Sequence, residues 1–375
     1  MRSWLVKTHR YLALTVGIFF VFLGLTGSIL AFYPELDRLL NPNLNIRSSE
    51  KIQSLDLVLN NAKSVFPDKF LHSVFLASDS ASFHQVWFTP SDKDSSLMWE
   101  VMVDPATAEV IGHRQAVPVY EFTRENLVNT IYTLHLLIFV GSLSYIFLGI
   151  CGVFLLMTLI IGVWLWWPTQ KTLLLSLSLK KGASSFRRAF DLHRVFGVYG
   201  FAVIFIIGVS GTYLALPEQV QSILGVQDER PRITVSASAG KGESQDLGSL
   251  LSHASSLVDE RLKMKSVWMP RGSSNFWRFT YIDPTNIGYA GSEVILMLDA
   301  QSGTLARSMS YETDSGIQRV LRWQLPLHSG KAFGFWGRTA VFCSGFVPLV
   351  LFISGVIIWR RKRAVLRHNL TSNLP

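Results

Sequence analysis

The chain has 375 residues, of which 49% are hydrophobic and 16% charged, and its mean hydropathy is +0.30. That balance argues against a soluble protein of two or three domains and for insertion in a membrane. The formal charge of +9 would suit a nucleic-acid binder, but its placement along the chain gives it another meaning. The two cysteines, Cys151 and Cys343, both lie in apolar runs and no CxxC is present, so a thiol-ligated zinc site or an iron–sulfur cluster has no support.

Met1 to Arg10 is short and basic, and an apolar run from Tyr11 to Tyr33 follows. The run is too long for the core of a signal peptide and no A-x-A site follows it, which predicts a retained transmembrane helix ending at Pro34 and the Asn41-Pro42 pair. Residues 34–124 read as a polar module. Ser54 to Phe66 has helical spacing, then HQVWFTP, MWEVMVD and AEVIGHR read as strands, with a turn at Asp104-Pro105-Ala106-Thr107. The second apolar run, about Leu127 to Trp167, is longer at roughly 1.5 Å per residue than a bilayer core of about 30 Å. Its first turns are therefore expected to stand outside the core, with Trp164, Trp166 and Trp167 at the opposite interface.

A basic loop (169–190), a third apolar helix (191–216), a second polar module (217–324) and a fourth helix (325–360) complete the pattern before a basic tail (361–375). In the second module Asp246 to Val258 reads as a helix, followed by strands WRFTYID and EVILMLD with a turn after Asp299. The first helix (1–33) repeats in the third: a shift of 184 positions lays His9 on His193, Arg10 on Arg194, Gly24 on Gly208 and Gly27 on Gly211. The second helix (125–168) repeats in the fourth: a shift of 193 lays His135 on His328, Gly162 on Gly355 and Trp166 on Trp359. The predicted fold is an all-α four-helix transmembrane bundle, a tandem duplication with its pseudo-two-fold along the membrane normal, carrying two small α+β modules. The N-terminal segment, the 169–190 loop and the tail are basic, with no acid; the single acid beside them is Asp191. The positive-inside rule then puts both termini in the cytoplasm and both modules outside, and the basic surplus becomes a topology signal with little left for nucleic acid.

Of nine histidines, His72, His84, His113, His253 and His368 read as surface or structural residues. His9, His193, His135 and His328 each fall at the start of an apolar helix and form two pairs under the repeat. Ionisable residues in membrane helices are rare and usually functional. Two neutral imidazoles opposed across a symmetry axis suit a six-coordinate planar metal centre, bis-histidine haem, with His9/His193 on the cytoplasmic side and His135/His328 on the periplasmic side. Zinc wants four ligands and each pair offers two. The glycines Gly24, Gly27, Gly208, Gly211, Gly141 and Gly334 fit close approach of a flat cofactor or plain helix packing equally well. Arg10 and Arg194 are candidate propionate partners or ordinary positive-inside residues; Arg322, Lys331 and Arg338 are candidates for propionate pairing or for steering an anionic ligand. Trp323 and Trp336 are candidate substrate contacts, whereas Trp268 and Trp277 read as core. His9 to Tyr33 spans roughly 36 Å of helix, a long way for electron transfer between two sites.

The segments LVKTHRYLALTVGIFFVFLGLTGSILAFYPELD and FRRAFDLHRVFGVYGFAVIFIIGVSGTYLALPE resemble the PepSY-associated transmembrane helix family, and MVDPATAEVIGHR and MLDAQSGTLARS resemble its PepSY module. The resemblance covers nearly the whole chain. It implies an inner-membrane bacterial reductase of ferric siderophores, of the ferrioxamine type, with two b-type haems held by His9, His193, His135 and His328 and no catalytic side chain beyond them. No dinucleotide-binding fingerprint is present, so the electron donor, a quinol or a cytoplasmic reductase, is expected to be separate. Two other readings stand beside it: a membrane-held PepSY regulator of a periplasmic protease, and a transporter of siderophore or haem.

Overall fold

A computed structural model describes residues 1–44, 52–77, 83–137, 142–226, 246–272, 274–286 and 293–371. In chain order the elements are α1 (Arg2–Leu30), α2 (Tyr33–Leu40), α3 (Leu55–Val65), β1 (Phe70–Phe75), β2 (His84–Thr89), β3 (Met98–Val103), β4 (Val110–Val117), α4 (Leu127–Leu136), α5 (Ser142–Trp166), α6 (Leu173–Ser176), α7 (Ser185–Ala215) and α8 (Pro217–Ile223). There follow α9 (Leu247–Ser256), β5 (Lys263–Trp268), β6 (Phe276–Ile282), β7 (Val294–Asp299), β8 (Leu305–Met309), α10 (Gly316–Arg322), α11 (Gln324–His328), α12 (Gly334–Ser344) and α13 (Val347–Thr371). They fall into two compact units.

The helical unit comprises Met1–Phe32, Ser142–Val220 and Leu327–Pro375. Among the described residues, four of its stretches are long and apolar enough to cross a membrane: Arg2–Leu30, Leu143–Trp166, Ser185–Ala215 and Lys331–Val365. They close a ring in which α1 packs on α5 and α13, and α7 packs on the same two. Small residues set the spacing, as expected where lipid removes the hydrophobic drive for association. A Cβ on Gly24 would stand 2.5 Å from the carbonyl oxygen of Gly345, and one on Gly208 would stand 3.1 Å from Leu156. Gly24 and Gly208 are therefore packing glycines. The fourth helix expected over 325–360 is broken: Gly330 and Gly334 adopt φ of 75° and 56°, which glycine tolerates, between α11 and α12. Likewise the second apolar run is two helices, α4 and α5, because the chain leaves helical geometry at Leu137 (φ −122°, ψ 65°).

The sheet unit comprises Tyr33–Gly141 and Gln221–Pro326. Its eight strands form one antiparallel sheet in the order β4-β3-β2-β1-β5-β6-β7-β8. The two copies meet at β1 and β5, where Val74 pairs with Val267, Ser73 with Trp268 and Phe75 with Ser266. Val74 and Val267 are themselves related by the shift of 193, so a local pseudo-dyad passes between them. Helices α3 and α9 contribute to one core with residues from both copies: Val58, Leu59 and Ala62 with Leu250 and Ala254, over Val74, Val101, Phe88, Val267, Phe279 and Leu298.

This corrects the expected fold class, an all-α four-helix bundle carrying two separate small α+β modules. The eight-stranded sheet is a major layer of the protein, and the two modules are halves of a single sheet with a single core. The physical reason lies at the strand edges. Each four-stranded half would leave the outer edge of its first strand unpaired, and an open edge invites pairing. Joining the two edges satisfies both.

Candidate functional site

His9 stands in the third turn of α1 and His193 in the third turn of α7, where the two rings face each other with centroids 6.3 Å apart and planes at 85°. The His9 Nδ1–H donates to the Thr158 carbonyl at 3.1 Å. The His193 Nδ1–H donates to the Leu351 carbonyl at 3.0 Å, with Ser354 Oγ also at 3.0 Å. A carbonyl only accepts, so in both rings the proton sits on Nδ1. That leaves the Nε2 lone pair unspent, and it makes no hydrogen bond among the described residues.

Each carbonyl is reachable because the residue four positions later is glycine. In a helix a side chain leans toward the N-terminus and covers the turn before it. Gly162 follows Thr158 by four, and a Cβ there would lie 3.3 Å from His9 Cε1; Gly355 follows Leu351 by four, and a Cβ there would lie 3.5 Å from His193 Cε1. The shift of 193 carries Thr158 to Leu351 and Gly162 to Gly355, so the two seats are one device built twice. His328 obeys the same rule: its Nδ1–H donates to the Ile207 carbonyl at 3.2 Å, Ser210 Oγ lies at 3.2 Å, and a Cβ on Gly211, four after Ile207, would stand 3.0 Å from the ring. Sequence reasoning named the histidines and Gly211 but missed Thr158, Leu351, Ser354 and Ile207. The offset between repeated glycines and the histidines was the available signal, but a backbone acceptor leaves no mark on residue type.

Three buried donors on the helices that carry or seat this pair make no hydrogen bond among the described residues: Arg10 Nε, Arg194 Nε and Trp166 Nε1. Trp166 is one turn past Gly162 on α5. The two arginines, equivalent under the repeat, differ in their other contacts. Arg194 pairs with buried Asp191 at 3.1 Å and donates to the Leu175 and Ser178 carbonyls, bracing the loop around α6. Arg10 lies over the Tyr11 ring at 5.1 Å.

Two imidazoles coordinating one metal from opposite sides, at about 2.0 Å per bond, place their centroids roughly 6 Å apart, which the pair matches. Among the described residues no group of three or more His, Cys, Asp or Glu gathers, so a four-ligand zinc centre has no donor set there. The unpartnered Nε2 atoms fit a bis-imidazole haem, and Arg10 Nε and Trp166 Nε1, with Arg194 Nε on an otherwise engaged guanidinium, fit as donors to its carboxylates.

The remaining candidates are more dispersed. His135 sits in the last turn of α4, half-buried, in the sheet unit. Arg338 donates to the Ala31 carbonyl at 2.7 Å and lies over the Phe32 ring, capping the end of α1. Arg322 pairs with Asp314 and donates to the Glu293 carbonyl at 3.2 Å. Lys331 and Trp336 are exposed, and Trp323 is half-buried. Trp277 stacks on Phe279, and Trp268 packs edge-on against His72 and Phe75. His72 and His84 are buried structural residues, 3% and 4% exposed, the first tied to Arg271 at 2.7 Å and the second accepting from the Ala77 N–H at 2.9 Å.

The family described as "PepSY-associated TM region" matches residues 6–362 of the chain. The chain belongs to this family. Comparison with curated proteins returns no match. As a PepSY-associated TM region protein with four apolar spans, it is a lipid-embedded, multi-pass membrane protein.

Proposed function

We propose that the protein is a di-haem transmembrane cytochrome of the bacterial inner membrane, an oxidoreductase that carries electrons outward and reduces a periplasmic ferric siderophore from Fe(III) to Fe(II). The observation that carries this reading is the duplicated histidine seat: His9 and His193 have ring centroids 6.3 Å apart and each Nδ1 is engaged by a helix carbonyl, which leaves each Nε2 lone pair unspent. Haem bound there supplies a one-electron carrier. The protein's part is to fix the tautomer and aim of each ring, and to offer Arg10, Arg194 and Trp166 to the propionates. The internal repeat, not a measured distance, pairs His328 with His135 as the second site. Positive-inside charge puts both termini in the cytoplasm, so His9/His193 receives electrons from a quinol or a cytoplasmic reductase. Ferric iron is hard and held by siderophore oxygens, and reduction weakens that hold, so iron leaves.

The seats also shorten the electron path. On α7, His193 is followed by Ile207 and Gly211 after 14 and 18 residues, so the seat of His328 lies roughly 21–27 Å along the helix rather than at its far end. The purified protein should show the split reduced spectrum of six-coordinate b-type haem at two haems per chain, and His9→Ala or His193→Ala should each reduce the count to one. A haem-free protein after expression with ample haem, or unchanged stoichiometry in both variants, would overturn the reading.

A further inference from the structure

In the sheet unit Arg114, on β4, is buried between two carboxylates. Its Nη2 and Nη1 donate to Asp37 Oδ2 and Oδ1 at 2.7 and 2.9 Å, and its Nε donates to Glu100 Oε2 at 3.0 Å. Nη1 also donates to the Glu125 carbonyl at 2.9 Å, one residue before the N-cap of α4. Asn41 spans the same gap, donating to Asp37 Oδ1 at 3.0 Å and to the Glu125 carbonyl at 3.3 Å. The polar fastening continues along α4: Thr130 Oγ1 donates to the Glu121 carbonyl at 2.6 Å, Tyr33 donates to Asn129, and Thr133 Oγ1 accepts from the Val119 N–H at 3.1 Å. Two residues beyond Thr133 is His135.

The second copy of the unit does without this network. Glu100 and Arg114 are cross-strand partners on β3 and β4. Counted from the equivalent turn aspartates, Asp104 and Asp299, their counterparts are Ile295 and Met309, which are cross-strand partners on β7 and β8. The shift of 184 turns Asp37 into Gln221. All three charges are exchanged together for uncharged residues at the same register, so the hairpin itself does not need them. A buried ion network is weak evidence for stability, because desolvation of the charges offsets their attraction. In the first copy the tie is made from strand β4 to the turn before α4, at the Glu125 carbonyl, whereas in the second copy it is made from helix α10, where Arg322 pairs with Asp314 and donates to the Glu293 carbonyl.

We propose that Arg114, Asp37 and Glu100 are positioning residues for His135, locking α2 and the foot of α4 onto β3 and β4 so that the imidazole is aimed. The inference rests on the reading of His135 as a haem ligand. The test uses the full-length, haem-loaded protein and the triple substitution Asp37→Gln, Glu100→Ile, Arg114→Met, which writes the second copy's residues into the first. Because the same sheet carries that set elsewhere, the variant is expected to keep its circular dichroism. Of two low-spin haem signals in electron paramagnetic resonance, one should shift or vanish, and its midpoint potential should move, while the signal abolished by His193→Ala stays unchanged. Asp37→Asn leaves Arg114 and Glu100 as a balanced pair and should shift the same signal by less. Two unaltered signals in a folded triple variant, or in Asp37→Asn should the triple variant not fold, would overturn the proposal. His135→Ala separates the two layers: if it retains both signals, the ligand reading fails and the inference with it. If it loses one while the triad variants lose and shift none, only the positioning role fails.

Discussion

At the level of single residues the device is a histidine whose Nδ1–H reaches a helix carbonyl uncovered by a glycine one turn on. The geometry makes a directional prediction. Gly355→Leu would place a branched side chain where Cβ alone already comes to 3.5 Å of His193, so the ring should lose the Leu351 carbonyl and the chain should bind one haem fewer. Gly316→Leu, where a Cβ meets nothing within 4 Å, is the control and should keep its haems. Haem per chain decides the comparison. A second residue-scale prediction concerns pH. Burial is the first cause that lowers His72 and His84 to about 4, with the Arg271 charge adding to the effect at His72. The folded protein thus binds fewer protons than the unfolded chain between pH 6.5 and 4, so stability is full above about 6.5 and falls with acid through that window. By pH 5 each histidine would cost up to about 2 kcal/mol. His84→Asn keeps an acceptor for the Ala77 N–H but does not titrate, and should flatten the pH dependence of the thermal midpoint; an unchanged slope would refute the assignment.

At the level of elements, the sequence was readable where periodicity was clean and silent where polar residues broke it. Strands β2, β3, β4, β6 and β7 were all expected from alternation; β1, β5 and β8 were not. In β1 three successive residues, His72, Ser73 and Val74, are buried, and two of them are polar. Their polarity is satisfied by each other and by Arg271, which only the folded sheet brings near. Because β1 and β5 are the seam strands, missing them hid the joining of the modules. A helix break was hidden for a different reason: apolar composition continues through Leu137, and hydropathy cannot register a local change of φ and ψ. The seam yields its own prediction. Val267 is fully buried opposite Val74, so Val267→Asp would place an unpaired charge at the centre of the shared core. It should destabilise both halves together, by about 3 kcal/mol or more, and melt them in a single transition. Two separate transitions would show that the halves hold independent cores.

At the level of the whole molecule, duplication explains what was legible about the site and what was not. Two shifts, 184 and 193, bring four histidines into two pairs without any structure, because a repeat preserves the spacing of its side chains. The seats are backbone atoms on partner helices, and strand order is a relation between copies, so neither can be read along a single copy. The same duplication gives the proposed function a direction that can be measured. If His9/His193 is the entry and His328 with His135 the exit, His9→Ala should break the input alone. Reduced first with dithionite, this variant should still pass one electron to a ferric siderophore, at a rate within a few-fold of the parent protein, whereas supplied with a quinol or a cytoplasmic reductase it should fall by at least about tenfold. His328→Ala should do the reverse, taking electrons from the donor yet failing to reduce the siderophore. Stopped-flow absorbance at the haem bands, with a ferrous-iron indicator for the product, follows both halves in one experiment. Equal loss of both activities in both variants would mean that the two sites do not act in series, and the directional reading would have to be given up.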